Sequence, residues 1–221
     1  MMKRMLAGIV IGVLGLGISA HAQVPDPNPG RFAETIETFT AWDRKNAVPE
    51  DVLLFVGSSS VQYWETAVAF PGKPVINRGL GGSELSDFVA LFDRVIKPYS
   101  PRKIFLYAGD NDIAAGKPVE QVVEDFDELA TMVHADLPNA RLIFLSIKPS
   151  KARWDKWPLM AEANRAIRVY AAKSPGLGFV DVATPLLDDY GFLRDVYVDD
   201  GLHLNEQGYR LWETALAPYL E

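Results

Sequence analysis

The sequence predicts an α/β fold, a three-layer α/β/α sandwich built on a five-stranded parallel sheet. Two observations carry this. Five short runs, at 52–56, 74–77, 103–108, 141–147 and 178–182, are apolar almost throughout instead of alternating, as strands buried on both faces are. Stretches with helical periodicity lie between and after them, near 60–69, 84–96, 119–135, 159–172 and 206–219, so that strand and helix alternate as parallel crossovers require.

The elements follow in order. Lys3 and Arg4 precede an uncharged apolar stretch at 6–19, and Ala20-His21-Ala22 has the small-x-small form of a cleavage site. This is the plan of a secretory signal peptide over residues 1–22. An exported protein, periplasmic or secreted, is therefore expected, with no stable membrane insertion after cleavage. The apolar stretch is short for a membrane span; an uncleaved anchor is the alternative. No cysteine is present to carry a lipid at that site. Residues 23–31, with Pro25, Pro27, Pro29 and Gly30, read as an extended linker. From 32 to 221 a single domain is expected, opened by a helix whose Phe32, Ile36, Phe39 and Trp42 recur at helical spacing and should face the core.

Composition narrows the partners. With 29 acidic against 22 basic residues and a net charge of −7, the chain lacks the basic footprint of a nucleic-acid binder. The absence of cysteine excludes a disulfide framework, so packing and hydrogen bonds must hold the fold.

In an open parallel sheet, ligands bind beyond the carboxyl ends of the strands. The segments leaving those ends are 57–60, 78–83, 109–112, 148–157 and, past the fifth run, the segment holding Asp200 and His203. Gly57-Ser58-Ser59-Ser60 places hydroxyls where a strand gives way to a helix, so each serine there is either an N-cap or a nucleophile. Asn77-Arg78-Gly79-Leu80-Gly81-Gly82-Ser83 is glycine-rich but fits neither phosphate-binding glycine pattern. A tight turn, or a backbone N–H aimed at an oxyanion, remains. Gly109-Asp110-Asn111-Asp112 lacks the spacing of a calcium loop, and the Asn111 amide can donate to an oxyanion. Asp200-Gly201-Leu202-His203 sets a carboxylate three residues before one of only three histidines, either as a plain surface turn or as a base with its orienting acid. His21 falls in the leader, and His134 sits late in a helical stretch, where a cation complements the dipole. Taken together these parts describe a serine hydrolase. Neither Gly57-Ser58-Ser59-Ser60-Val61 nor Gly81-Gly82-Ser83-Glu84-Leu85 fits the Gly-x-Ser-x-Gly elbow of the α/β-hydrolases.

These four blocks resemble those of the GDSL or SGNH hydrolases, in order and spacing, over about residues 51–219. The resemblance implies a flavodoxin-like fold and an esterase or lipase that uses an acyl-enzyme and no cofactor or metal. It picks Ser59 as nucleophile, since the family's serine is the second residue after the glycine. Asp200 and His203 complete the triad, with Gly82 and Asn111 joining the Ser59 N–H in an oxyanion hole. Ser58 stands where the family usually has aspartate. The substrates implied are small-molecule, glycan or lipid esters: acetylated carbohydrates, lysophospholipids, or simple acyl esters and thioesters. A non-catalytic glycan-binding module on the same fold is the alternative. The loop at 148–158, with four cations and two tryptophans, offers Arg153 and Trp154 as a substrate-selecting wall.

Overall fold

The structure, a computed structural model, describes residues 23–221; the expected leader at 1–22 lies outside the described residues. The first half of the chain forms α1 (Ala33–Asp43), β1 (Leu53–Gly57), α2 (Ser59–Gln62), α3 (Thr66–Ala69), β2 (Val75–Gly79), α4 (Leu85–Ala90) and α5 (Phe92–Val95). Then come β3 (Lys103–Tyr107), α6 (Asp110–Ala115), α7 (Val119–Asp136), β4 (Arg141–Leu145), α8 (Trp157–Lys173), β5 (Leu177–Val180) and α9 (Glu206–Leu216). The five strands make one parallel sheet in the order β2-β1-β3-β4-β5. No helix among the described residues is long and apolar enough to cross a membrane.

Alternate residues of each strand enter opposite cores, as the two-residue period dictates. Leu54, Val56, Ile104, Leu106, Leu142 and Phe144 pack with residues of α4, α5, α7 and α8. Leu53, Phe55, Phe105, Tyr107, Ile143 and Leu145 face the other way, against Val61 of α2 and Trp212 and Leu216 of α9. Trp64 and Phe70 complete this second core around Phe55, Trp64 edge-on to it and Phe70 stacked on it.

The helices depart from expectation where the backbone is interrupted. The stretch at 60–69 divides into α2 and α3, and that at 84–96 divides at Leu91, which leaves helical geometry with ψ near 9°. The last helix stops at Leu216 and not at 219, because Pro218 can give no backbone N–H to an α-helix; a 3-10 turn follows. The α1 stripe is also only partly core. Phe32 and Ile36 are buried, but Trp42 is 62% exposed. The final turn of α1 is held by polar contacts instead: Arg78 pairs with Asp43, and the Tyr99 hydroxyl donates to Asp43 at 2.6 Å.

Residues 23–31 are pinned to the domain. Val24 exchanges two hydrogen bonds with the Gln121 amide on α7, at 3.0 and 2.8 Å. Asp26 meets the buried Lys117, which also touches Glu84, Asp125 and the Ser86 hydroxyl.

The strand order reverses at β1, whose neighbours are β2 and β3. Crevices for ligands form at such a switch point, outside the carboxyl ends. Gly57 and Tyr107 pair there, and a Cβ on Gly57 would lie 2.3 Å from the Tyr107 carbonyl oxygen. Only glycine permits this approach.

Candidate active site

Ser59 is the first residue of α2, directly beyond β1. As an N-terminal helical residue it has no intrahelical partner for its N–H. His203 Nε2 lies 2.8 Å from Ser59 Oγ, and His203 Nδ1 lies 2.5 Å from Asp200 Oδ2. An ionised carboxylate only accepts, so Nδ1 carries the proton and Nε2 is left to accept from the serine hydroxyl.

The Asp200–His203 turn is built to hold that arrangement. Asp200 Oδ1 accepts the backbone N–H groups of Leu202 and His203 at 2.8 and 2.9 Å. Gly201 takes a left-handed φ of 65°, and the turn is closed by Val198 N–H donating to His203 O at 2.9 Å. These backbone donors and the imidazole hold the Asp200 carboxyl down at about 2. The Tyr63 ring stands edge-on to His203, 5.0 Å away.

The loop after β2 folds onto α2. Leu80 N–H donates to Gly57 O at 2.7 Å, and the Asn77 amide donates to Val61 O and Trp64 O, at 2.8 and 3.0 Å. A Cβ on Gly79 would meet the Gln62 nitrogen at 2.3 Å, and one on Gly81 would meet Gln62 Oε1 at 2.3 Å. The two glycines therefore bring the loop against the nucleophile helix. Gly82, at φ 77°, turns the chain beside it.

Asn111 lies in the first turn of α6. Its Nδ2 donates to Ser83 O and its Oδ1 accepts from Arg153 Nη2, both at 2.9 Å. The other N–H of the amide has no partner among the described residues. The structure thus brings Ser59, Asp200 and His203 into one hydrogen-bonded chain. Asn111 is joined to the glycine loop through Ser83.

Of the loop after β4, Trp154 is open, 41% exposed, while Trp157 packs against the core. The Arg153 side chain is only 19% exposed, its guanidinium turned to Asn111 and to Asp110 Oδ2, 3.1 Å away. Lys148, read from the sequence as a loop cation, is buried, 3.9 Å from Asp110 and without a hydrogen-bond partner among the described residues. Burial pushes its ammonium down, against the attraction of Asp110. Ser58 is buried as well, its hydroxyl 3.5 Å from Asp110 Oδ1. The carboxylate at this corner is that of Asp110. Asp110 and Lys148 escaped the sequence reading as partners. The one available sign was a lysine immediately after an apolar strand.

A cleft of about 460 Å³ opens between Tyr63, Val68, Tyr209 and the charged Glu65, Glu206, Arg210 and Glu213; its link to His203 is the Tyr63 ring. His134 lies far along the chain on the exposed last turn of α7.

The sequence profile of the GDSL-like lipase/acylhydrolase family matches residues 56–211, which hold all four blocks. The chain belongs to this family. No curated protein matches it. Among solved structures it resembles a Streptococcus pneumonia protein provisionally described as a platelet activating factor. That likeness has a TM-score of 0.76 and 28% identity, and covers 86% of this chain and 94% of the other. A GDSL-like lipase from Bacteroides thetaiotaomicron aligns with TM-score 0.73 and 21% identity over 84% and 96% of the two chains. A variant of an acetyl-xylooligosaccharide esterase from Geobacillus Stearmophilus aligns with TM-score 0.64 and 15% identity over 77% and 94%. These last two share the fold, an α/β SGNH hydrolase sandwich with a five-stranded parallel sheet. GDSL-family acylhydrolases cleave acyl groups, so ester hydrolysis in general is the chemistry to which the site must answer.

Proposed function

We propose that this protein is an exported serine carboxylic-ester hydrolase acting on small acyl esters, acetylated carbohydrates among them. The observation that carries the reading is the unbroken chain from Ser59 Oγ through His203 to Asp200, at 2.8 and 2.5 Å. His203 takes the serine proton as Oγ attacks the ester carbonyl, and Asp200 stabilises the imidazolium that results. The tetrahedral oxyanion is held by the N–H groups of Ser59 and Gly82 and by the Asn111 amide. Collapse releases the alcohol, protonated by His203. Water activated by the same imidazole then cleaves the acyl-enzyme and releases the acid.

The alcohol portion is assigned to the side of Tyr63 and Trp154. Their open aromatic faces suit a sugar ring, and the carboxylates of the neighbouring cleft disfavour an anionic headgroup. Export rests on the leader at 1–22 alone; a mature N-terminus at Gln23, read by N-terminal sequencing, would support it, and an intact Met1 would overturn it.

A panel of esters varied in acyl length and alcohol tests the reading, with Ser59→Ala as the blank. Ser59→Ala is expected to lose about 10⁴- to 10⁶-fold in turnover while remaining folded. Acetylated sugars should be cleaved in preference to lysophospholipid. Retained turnover in Ser59→Ala would reject the nucleophile, and a preference for lysophospholipid would reject the substrate class.

A further inference from the structure

We infer that Arg153 is a positioning residue for the oxyanion hole: its guanidinium fixes which end of the Asn111 amide faces the reacting ester. This rests on the reading of the site given above. The two ends of an asparagine amide are almost the same in shape and opposite in hydrogen bonding, so side-chain packing alone cannot choose between them. Here both ends are specified. Ser83 O accepts from Nδ2 at 2.9 Å, and Arg153 Nη2 donates to Oδ1 at 2.9 Å. Reversing the amide would set its NH₂ against a guanidinium and its oxygen against a carbonyl. Both contacts would turn repulsive. With Arg153 in place, the second N–H of Nδ2 is kept for the oxyanion.

Arg153 is itself held. Nη1 lies 3.1 Å from Oδ2 of the buried Asp110, an ion pair without hydrogen-bond geometry, so the guanidinium hydrogen-bonds Asn111 and sits against the charge of the residue before it in α6. The backbone at Arg153 leaves helical geometry, φ −130° and ψ 30°, which divides the 3-10 segment at the residue that reaches inward. One residue earlier, Ala152 N–H donates to Gly201 O at 3.1 Å. A single short segment thus touches the oxyanion donor on one side and the turn carrying the base on the other. A surface arginine that selects substrates would project into solvent. This one is largely buried and directed at Asn111.

An oxyanion donor acts on the transition state and not on the bound ester, so its misorientation lowers kcat and leaves KM nearly unchanged. On a short-chain aryl acetate, Arg153→Ala is expected to lower kcat by about 10- to 100-fold, short of the loss from deleting a donor outright. KM should stay within about 3-fold. Arg153→Lys keeps the charge but loses the fork, and its kcat should fall between those of the parent protein and Arg153→Ala. The deciding measurement is a double-mutant cycle: Arg153→Ala/Asn111→Ala should be no slower than Asn111→Ala alone. If Arg153→Ala does not fold, as judged by circular dichroism, the cycle is run with Arg153→Lys. Additive losses, an unchanged kcat, or a raised KM at constant kcat would each overturn the inference. Ser59→Ala is measured alongside. If it is inactive while the cycle is additive, the inference alone fails. If it hydrolyses the ester, the reading of the site fails and the inference falls with it.

Discussion

Asp200 keeps its charge well into the acid range. Its carboxyl is held at about 2 by the backbone N–H of His203, the imidazole and the N–H of Leu202. A depressed carboxyl stabilises the fold above its ordinary value near 3.9, and that contribution is lost as pH falls toward about 2. The carboxylate therefore remains the imidazole's anionic partner until the pH falls toward about 2. In Asp200→Asn the imidazolium loses that partner. Turnover should drop by about 10⁴-fold, because the wrong tautomer then faces Ser59. A kcat/KM comparison of Asp200→Asn with the parent protein checks this; unchanged turnover would contradict the pairing. The four blocks were legible because each is short and carries its own turn chemistry, while Ser59 among three serines, and Gly82, were picked by the family resemblance. The partners of Arg153 were not, since a guanidinium that reaches Asn111, 42 residues away in the chain, leaves no local pattern. For the same reason Lys148 read as a loop cation although it lies buried beside Asp110.

At the scale of elements, the start of α4, just after the glycine loop, is tied down by ions. Lys117 is fully buried and meets Asp26, Glu84, Asp112 and Asp125. Burial lowers its affinity for the proton, but hydrogen bonds to Asp125 and Asp26 outweigh this and raise it. Burial also lifts Asp112 to about 7, against the N–H of Leu85 and the charge of Lys117. A carboxyl raised in the folded state favours folding at low pH, and that preference is lost as pH rises through about 7. Lys117→Met removes the common cation and leaves the carboxylates facing one another, so a loss of about 3–5 kcal/mol is expected. Denaturant unfolding measures it; a change below about 1 kcal/mol would show the cluster to be dispensable. The kinks in the helices were hidden for a related reason. Leu85, Phe88, Phe92 and Val95 all enter one core, so the apolar period runs straight through the break at Leu91. The six-residue α6, closed between Gly109 and Gly116, is too short to show a period at all.

For the whole molecule, topology gathers the chemistry. With the sheet order β2-β1-β3-β4-β5, the loops leaving β1, β2, β3 and β4 share one edge, and the turn carrying Asp200 and His203 closes over it. The order of strands was not needed to expect this; apolar runs alternating with helices, and the rule that sites lie beyond the carboxyl ends, were sufficient. What the pattern could not supply was the exposure of individual side chains, as Trp42 shows: its spacing fits the core stripe, yet it stands at the exposed end of α1. If this edge activates one serine among three neighbours, covalent labelling will single it out. The protein is treated with a fluorophosphonate ester and the adduct is located by peptide fragmentation in a mass spectrometer. A phosphonyl group on Ser59, lost in Ser59→Ala and formed far more slowly in His203→Ala, is the result predicted. An unlabelled protein, or an adduct that persists in Ser59→Ala, would contradict it.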